Sequence, residues 1–496
     1  MTNKITGETL IGWGYTPGKW FGEALQTLND PANGDWSERD QRDFLDQAEP
    51  APVVLDPLLQ HRTNSIPFGF FLEVEAEENS QAEEDQRNNL LGVIEHMDAL
   101  MRTPTIVAGA VMPDACPSGS QLGTIPVGGV VAAKEAIHPG FHSADVCCSM
   151  AITVFKRDVD VSKVLDIAQQ VTHFGSRGRG NPIEATGSKE FTDLMERFGQ
   201  NSFLAGLEDT ALHSLGTQGD GNHFFYVGEL LSTGEMAIVT HHGSRNVGGQ
   251  LYKRGMAAAQ RHTAIVSPRT PAHNAWIDSE SQQGEDYWEA LQLVRDWTKL
   301  NHFSIHDMMQ KELGNKVVGR FWNEHNFVFR RDDGLFYHAK GATPSYAGFS
   351  ADDTGQTLIP MNMRQPILIA EHLNNPKALG FAPHGAGRNL SRTAHMQRLA
   401  QEFKADNRGL SPRDQQVIFD RETAGIDARF YSGRMDLSEL PSAYKNAGQV
   451  VRAIATNRLA MITDTIMPRG AMMAGNTSVD WRAKKAAKKA KAAANG

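Results

Sequence analysis

GDGNHFFYVGELLSTGEMAIVTHHGSRNVGG, residues 219–249, sets the reading of the whole chain. Two apolar strand candidates, NHFFYVGEL and MAIVTHH, each meet a glycine-rich polar cluster that carries histidine. The pattern recurs outward in both directions. TIVAGAVM (105–112), IPVGGVVAA, SMAITVFKR, HNFVFR, LFYHAK and PILIAEH read as further strands. Helical spacing marks SKVLDIAQQV (162–171), YWEALQLVRDWTKLNHFSIHDMMQKEL (287–313), LSRTAHMQRLAQEF (390–403) and AYKNAGQVVRAIATNRLAMI (443–462). The fold class is α+β, a mixed α/β chain. With no fixed-period repeat and no regular strand–helix alternation, the sequence supports neither a solenoid nor a (β/α) barrel.

The chain has 496 residues, 40% of them apolar and 46 of them glycine, enough for a real core. No apolar run reaches the roughly 18 residues of a membrane span, and MTNKITGETL lacks the apolar stretch of a secretory signal. These features predict a soluble, cytoplasmic protein. The net charge is -9, although Arg482, Lys484, Lys485, Lys488, Lys489 and Lys491 crowd the end, so the body is more acidic still. Broad nonspecific duplex binding is therefore unsupported, and a nucleic-acid role must rest on a local site. Residues 1–100 form an accessory segment with Trp13, Trp20, Trp36 and the acidic run LEVEAEENSQAEEDQR. RNNLLGVIEHMDALMR follows as a helix with Leu90, Leu91, Ile94, Met97 and Met101 on its packed face. Residues 101–475 form one catalytic domain, and 476–496 a basic Lys/Ala tail.

Five polar clusters stand at the strand ends: HPGFHSADVCCSM, LGTQGDGNHFF, VTHHGSRNVGG, NEHNF and PHGAGRNLSR. Histidine occurs in each, which points toward a metal site. The three cysteines, Cys116, Cys147 and Cys148, lie close together and form no disulfide framework. One tight turn can aim Asp145 and Cys148 at the same point, and a thiolate can bridge two cations; its softness favours Zn²⁺, Co²⁺ or Mn²⁺ over Mg²⁺ or Ca²⁺. In HGAGRNLSR, Gly385 and Gly387 allow close backbone approach, and a helix start beyond them can hold phosphate. There His384 is placed as a nucleophile toward phosphorus, with a histidine-capped glycine turn an equal alternative. His241 with Arg245, and Lys340 in HAKGAT, are further candidates for ligand and phosphate contacts.

Taken in order, MPDACPSG, DVCCSM, GDGNHF, HHGSRNVGG, EHNF, AKGAT and HGAGRNLSR resemble the motifs of the RtcB family of RNA ligases over about residues 105–470. The resemblance implies an RtcB-like fold and two Mn²⁺ ions held by Asp145, Cys148, His223, His241 and His325, with Cys148 shared. It implies that His384 takes GMP from GTP and passes it to an RNA 3′-phosphate, which a 5′-hydroxyl then displaces. A 2′,3′-cyclic phosphate is first opened by hydrolysis. Asn222, Asn326, Gly385, Ala386, Gly387 and Arg469 are the implied nucleotide contacts, and Arg245 and Lys340 the implied RNA-phosphate contacts. The implied partners are RNA ends and GTP, with no membrane; the oligomeric state stays open, a monomer included.

The sequence also departs from the family pattern. Cys116 stands where MPDxHxG has histidine, Cys147 and Ser149 replace glycines, MNMR follows LIP in place of GSMG, and Tyr226 occupies the acidic position of NHFxE. Arg469-Gly470 takes the place of a closing Lys-Gly, and arginine is no neutral substitute for lysine. These changes bear on nucleotide selectivity and the RNA-end pocket. Two alternatives follow: a nucleotidyltransferase or end-capping enzyme of altered specificity, and a noncatalytic, metal-containing RNA-end-binding paralogue.

Overall fold

The computed structural model describes residues 4–476 apart from 16, 19, 50–57, 76, 77, 79, 407 and 408; the basic tail beyond 476 lies outside the described residues. By its contacts the chain divides into Met1–Leu58 and Leu59–Gly496. Among its described residues the first unit has three α-helices, Gly7–Gly12, Trp20–Leu28 and Glu38–Ala48, around Leu10, Phe21, Leu28 and Leu45, with Trp13, Trp20 and Trp36 packed against them. Ser37 caps the third helix by accepting from the Asp40 amide.

Residues 59–100, grouped above with the accessory segment, belong to the larger unit. Their helix, Gln81–Leu100, buries Asn89, Val93, Met97 and Leu100, while Leu91 and Ile94 face solvent. The packed stripe is thus rotated from the one expected. Val93, Met97, Leu100 and Met101 cover Ile106 and Val111 of the strand Ile106–Cys116.

Two large sheets, with three two-stranded ones beside them, make up the β-structure of the larger unit's described residues. One runs Gly69–Phe70, Ile106–Cys116, Val127–Ala133, Phe336–Lys340, Asn326–Arg330. The other runs Val317–Glu324, Ser149–Phe155, Met236–His242, Phe224–Leu230, Ala460–Met473, Ile367–His372, Gln356–Pro360, antiparallel at every step, with Asp427–Phe430 parallel to Ala460–Met473. Every strand anticipated from the sequence falls in one of them. The helix expected over 443–462 covers only Ala447–Thr456; Arg458 at φ 50° breaks it, and LAMI enters the 14-residue strand Ala460–Met473. The helix Gln282–Leu313 lies behind the sheets and buries Tyr287, Leu291, Val294 and Trp297 completely.

Register positions the chemistry. Ser149 pairs with His242 and with Glu324, and His241 pairs with Phe224. The residues flanking these strand ends, Cys148, His223, His241 and His325, therefore meet at one edge of the large sheet. His325 is the single residue between Glu324, the last of one sheet's strand, and Asn326, the first of the other's.

Candidate active site

At this edge two donor sets share one atom. Cys148, His241 and His325 form one, and Asp145, Cys148 and His223 the other, with the ligand atoms of each set within 4.8 Å of one another. Cys148 Sγ lies 3.2 Å from His241 Nε2 and 3.6 Å from His223 Nε2; His223 Nε2 is 3.0 Å from Asp145 Oδ2, and the Nε2 atoms of His241 and His325 are 3.2 Å apart. His223 donates Nδ1–H to the Gln218 carbonyl at 2.6 Å and His241 donates Nδ1–H to the Asn222 carbonyl at 3.1 Å. In His241 the Nε2 lone pair then faces the shared thiol, the tautomer that ligates metal.

Burial and the neighbouring His223 and His384 hold His241 down to about 3, and burial with His384 pushes His325 well below the usual range, so both rings are neutral. Burial pushes the Cys148 thiol up, and the Asp145 carboxylate adds to the shift. Burial opposes ionisation of Asp145, but His223 outweighs it by charge and hydrogen bond, so the carboxyl ionises below its usual range. Imidazole nitrogens, a carboxylate and a thiol converge here, and the donor set fits two borderline-soft divalent cations.

The turn that presents Cys148 is held against its local preference. Cys147 has φ 58°, the left-handed region that a side chain disfavours, and its amide donates to the Asn326 carbonyl at 2.7 Å. Ser149 Oγ bonds the Cys147 carbonyl at 3.0 Å and His302 Nε2 at 3.0 Å. Two side chains at expected glycine positions are thus tolerated, one by an imposed conformation and the other by hydrogen bonds.

His384 follows the strand Phe381–Pro383, its ring centroid 4.9 Å from that of His325. It donates Nδ1–H to Asp114 Oδ2 at 2.6 Å, and Asp114 is fully buried in the strand Ile106–Cys116. Nε2 is left as the lone-pair nitrogen. Gly387 makes the approach possible: at φ 71° a Cβ there would lie 1.8 Å from the Asp114 carbonyl oxygen. The helix expected to open in this turn starts later, at Arg392, where Ser391 caps it by accepting from the Ala394 amide.

In front of His384 opens a cavity of about 710 Å³, within the usual size of a small-molecule site. Asn222, His241, Gly385, Ala386 and Gly387 line it, as does Cys116. The remaining candidates do not line the cavity. Asn326 Oδ1 accepts the Gly341 amide at 2.7 Å, Lys340 is tied to Ser118 and to the Ile125 carbonyl, and neither lines the cavity. Arg469 pairs with Asp158 at 2.5 Å and Glu229 at 3.7 Å; its strand gives the cavity Ala471 and Met473 instead. Arg245 is anchored by Thr217 Oγ1 and the Gly175 carbonyl, and a Cβ on Gly219 would touch both its Nη1 and His223 Nδ1, which places the guanidinium beside the donors.

Two buried carboxylates beside the cavity and His384 escaped the sequence reading. Asp114 stood within the quoted MPDACPSG, where its carboxylate was the available signal. Glu439, buried and bonded by Arg392, Arg388 and the Tyr444 hydroxyl, had no motif to mark it.

Residues 188–474 match the family described as tRNA-splicing ligase RtcB. The chain belongs to the RtcB family. Among similar proteins, the tRNA-splicing ligase RtcB of Thermococcus kodakarensis is 25% identical over 436 residues, 73% of this chain and 86% of that protein. That of Archaeoglobus fulgidus is 26% identical, covering 53% of this chain and 60% of its own length. The RNA-splicing ligase RtcB of Escherichia coli K12 is 23% identical, covering 69% and 85%. The mixed α/β architecture is that of an RtcB-family protein, and no described helix is long and apolar enough to cross a membrane.

Proposed function

We propose that this protein is a GTP- and Mn²⁺-dependent RNA ligase that joins 3′-phosphate or 2′,3′-cyclic phosphate ends to 5′-hydroxyl ends through GMP carried on His384. One observation carries the reading: two donor sets sharing Cys148 stand beside a histidine whose Nδ1 is committed to a buried carboxylate. Asp145, Cys148 and His223 would hold one cation, and Cys148, His241 and His325 the other. Bound there, divalent cations neutralise phosphate charge and orient the triphosphate.

The chain's own residues supply the rest. His384 Nε2 attacks the α-phosphorus with its lone pair; an N–P bond forms, the bond to the bridging oxygen breaks, and pyrophosphate leaves with that electron pair. Asp114 keeps the Nδ1 proton in place and stabilises the positive charge that develops on the ring. The RNA 3′-phosphate then takes GMP from His384, and attack by a 5′-hydroxyl releases GMP and seals the strand. Arg245, fixed beside His223, holds an RNA phosphate, and the glycine turn 385–387 lines the nucleotide.

Incubation with α-labelled GTP and Mn²⁺ should label the protein covalently, and His384→Ala should stay unlabelled. Equal labelling of both would remove His384 as nucleophile. Sealing of an RNA with 3′-phosphate and 5′-hydroxyl ends tests ligation separately from nucleotidyl transfer.

A further inference from the structure

Part of the cavity wall is apolar and is made by Phe224, Tyr226, Met361, Met363, Ile367 and Met473. Met473 stands opposite Phe224 in register, and Tyr226, Met363, Ile367 and Met473 belong to one buried apolar cluster against which Phe224 packs. The polar side chains of Tyr226 and Asn362 already bond within this wall. The Tyr226 hydroxyl donates to the Ile466 carbonyl at 3.1 Å and approaches the Gln365 carbonyl at 3.3 Å. Asn362 gives its amide to Gln365 Oε1 at 3.0 Å and accepts the Arg364 amide at 3.0 Å. Among the described residues lining the cavity the only carboxylate is Glu439, bound to two arginines and a tyrosine.

Guanine is told from adenine by its edge: N1–H and the exocyclic amino group are donors that need acceptors, where adenine offers an acceptor at N1 and a donor at N6. A site built to bond one edge rejects the other base strongly because its own polar groups are left unpaired. A wall of methionine, isoleucine and aromatic rings has no such groups to strand. It grips the faces of a ring, and every base has a π-face.

Resting on the nucleotidyl-transfer reading above, we infer that the base is held by stacking and van der Waals fit against this wall, so that ATP serves as a nucleotidyl donor alongside GTP. The step is the same for both donors: His384 Nε2 bonds the α-phosphorus, pyrophosphate departs with the bonding pair, and AMP or GMP remains on the histidine.

Two measurements test this on the full chain. In the first, the initial rate of covalent labelling is compared for α-labelled GTP and ATP with Mn²⁺. In the second, titration calorimetry on His384→Ala reads equilibrium binding of each nucleotide without reaction. Rates and dissociation constants within about tenfold of each other are expected. A preference for GTP above a hundredfold in both overturns the inference and leaves the nucleotidyl-transfer reading standing; labelling by neither nucleotide overturns both. Met363→Glu puts an acceptor into the wall and should raise the GTP-to-ATP ratio about tenfold or more. An unchanged ratio in a variant that melts like the parent chain would show that the base does not lie there and would overturn the inference.

Discussion

Asp114→Asn removes one charge from the site and almost no volume. The carboxylate is fully buried, its Oδ2 is 2.6 Å from His384 Nδ1, and its Oδ1 has no partner. In this setting a hydrogen bond to a charged group contributes about 1.5–3 kcal/mol. If the amide oxygen replaces Oδ2, the tautomer survives but the ring's developing charge is no longer compensated, and nucleotidyl transfer should slow by about 10- to 150-fold. If the amide instead turns its NH₂ toward Nδ1, the ring must carry its proton on Nε2, and the loss approaches the ~10⁴-fold seen when a catalytic histidine is held in the wrong tautomer. Single-turnover labelling with α-labelled GTP reads the rate, and calorimetry on the same variant should show nearly unchanged nucleotide affinity. Labelling at the parent rate would refute the role assigned to Asp114, since no other hydrogen-bond partner of His384 is seen among the described residues.

Cys148→Ser should lower bound Mn²⁺ from two ions per chain, measured by elemental analysis after dialysis, because both donor sets lose their shared sulfur; unchanged stoichiometry would argue against sharing. Gly387→Ala adds a Cβ where the Asp114 carbonyl stands, at a left-handed φ, and should cost more than about 1 kcal/mol, visible as a lower melting temperature. Burial holds His138 and His306 down to about 3, so the folded chain keeps both neutral while the unfolded chain protonates them below about 6.5. Stability is therefore fully present above 6.5 and lost as pH falls from there toward 3, by about 1.4 kcal/mol per pH unit for each ring, and urea midpoints at pH 6.5 and 5.5 measure it. A midpoint that does not fall would refute that account.

The strands were legible because each couples a short apolar run to a glycine-rich turn, and Asp145, Cys148, His223, His241 and His325 were marked by their place in motifs that resemble those of the RtcB family. Asp114 and His384 are 270 positions apart, and nothing local in MPDACPSG states which ring its carboxylate will meet. The helix Arg245–Val266 was hidden by its own composition. Gly248, Gly249 and Gly255 lower helix propensity, yet a Cβ on Gly255 would lie 2.4 Å from the Tyr287 ring, so tertiary packing demands what local preference opposes. Arg469 was assigned by its order in the chain, whereas it is the extra residue where the register shifts between Pro468 and Gly470, and it pairs with Asp158 and Glu229 while Ala471 and Met473 line the cavity. The expected face of the helix Gln81–Leu100 was drawn from apolar residues alone and missed that Asn89, bonded to the Ala115 carbonyl, lies on its buried side.

One residue, His325, joins a strand of the large sheet to a strand of the smaller one, and it also faces the shared thiol. Any slip of either layer against the other must drag that imidazole with it. On the proposed function a cation bound there would rivet the junction, and chelation should then loosen both layers at once, so that amide exchange quickens far from the donors as well as beside them.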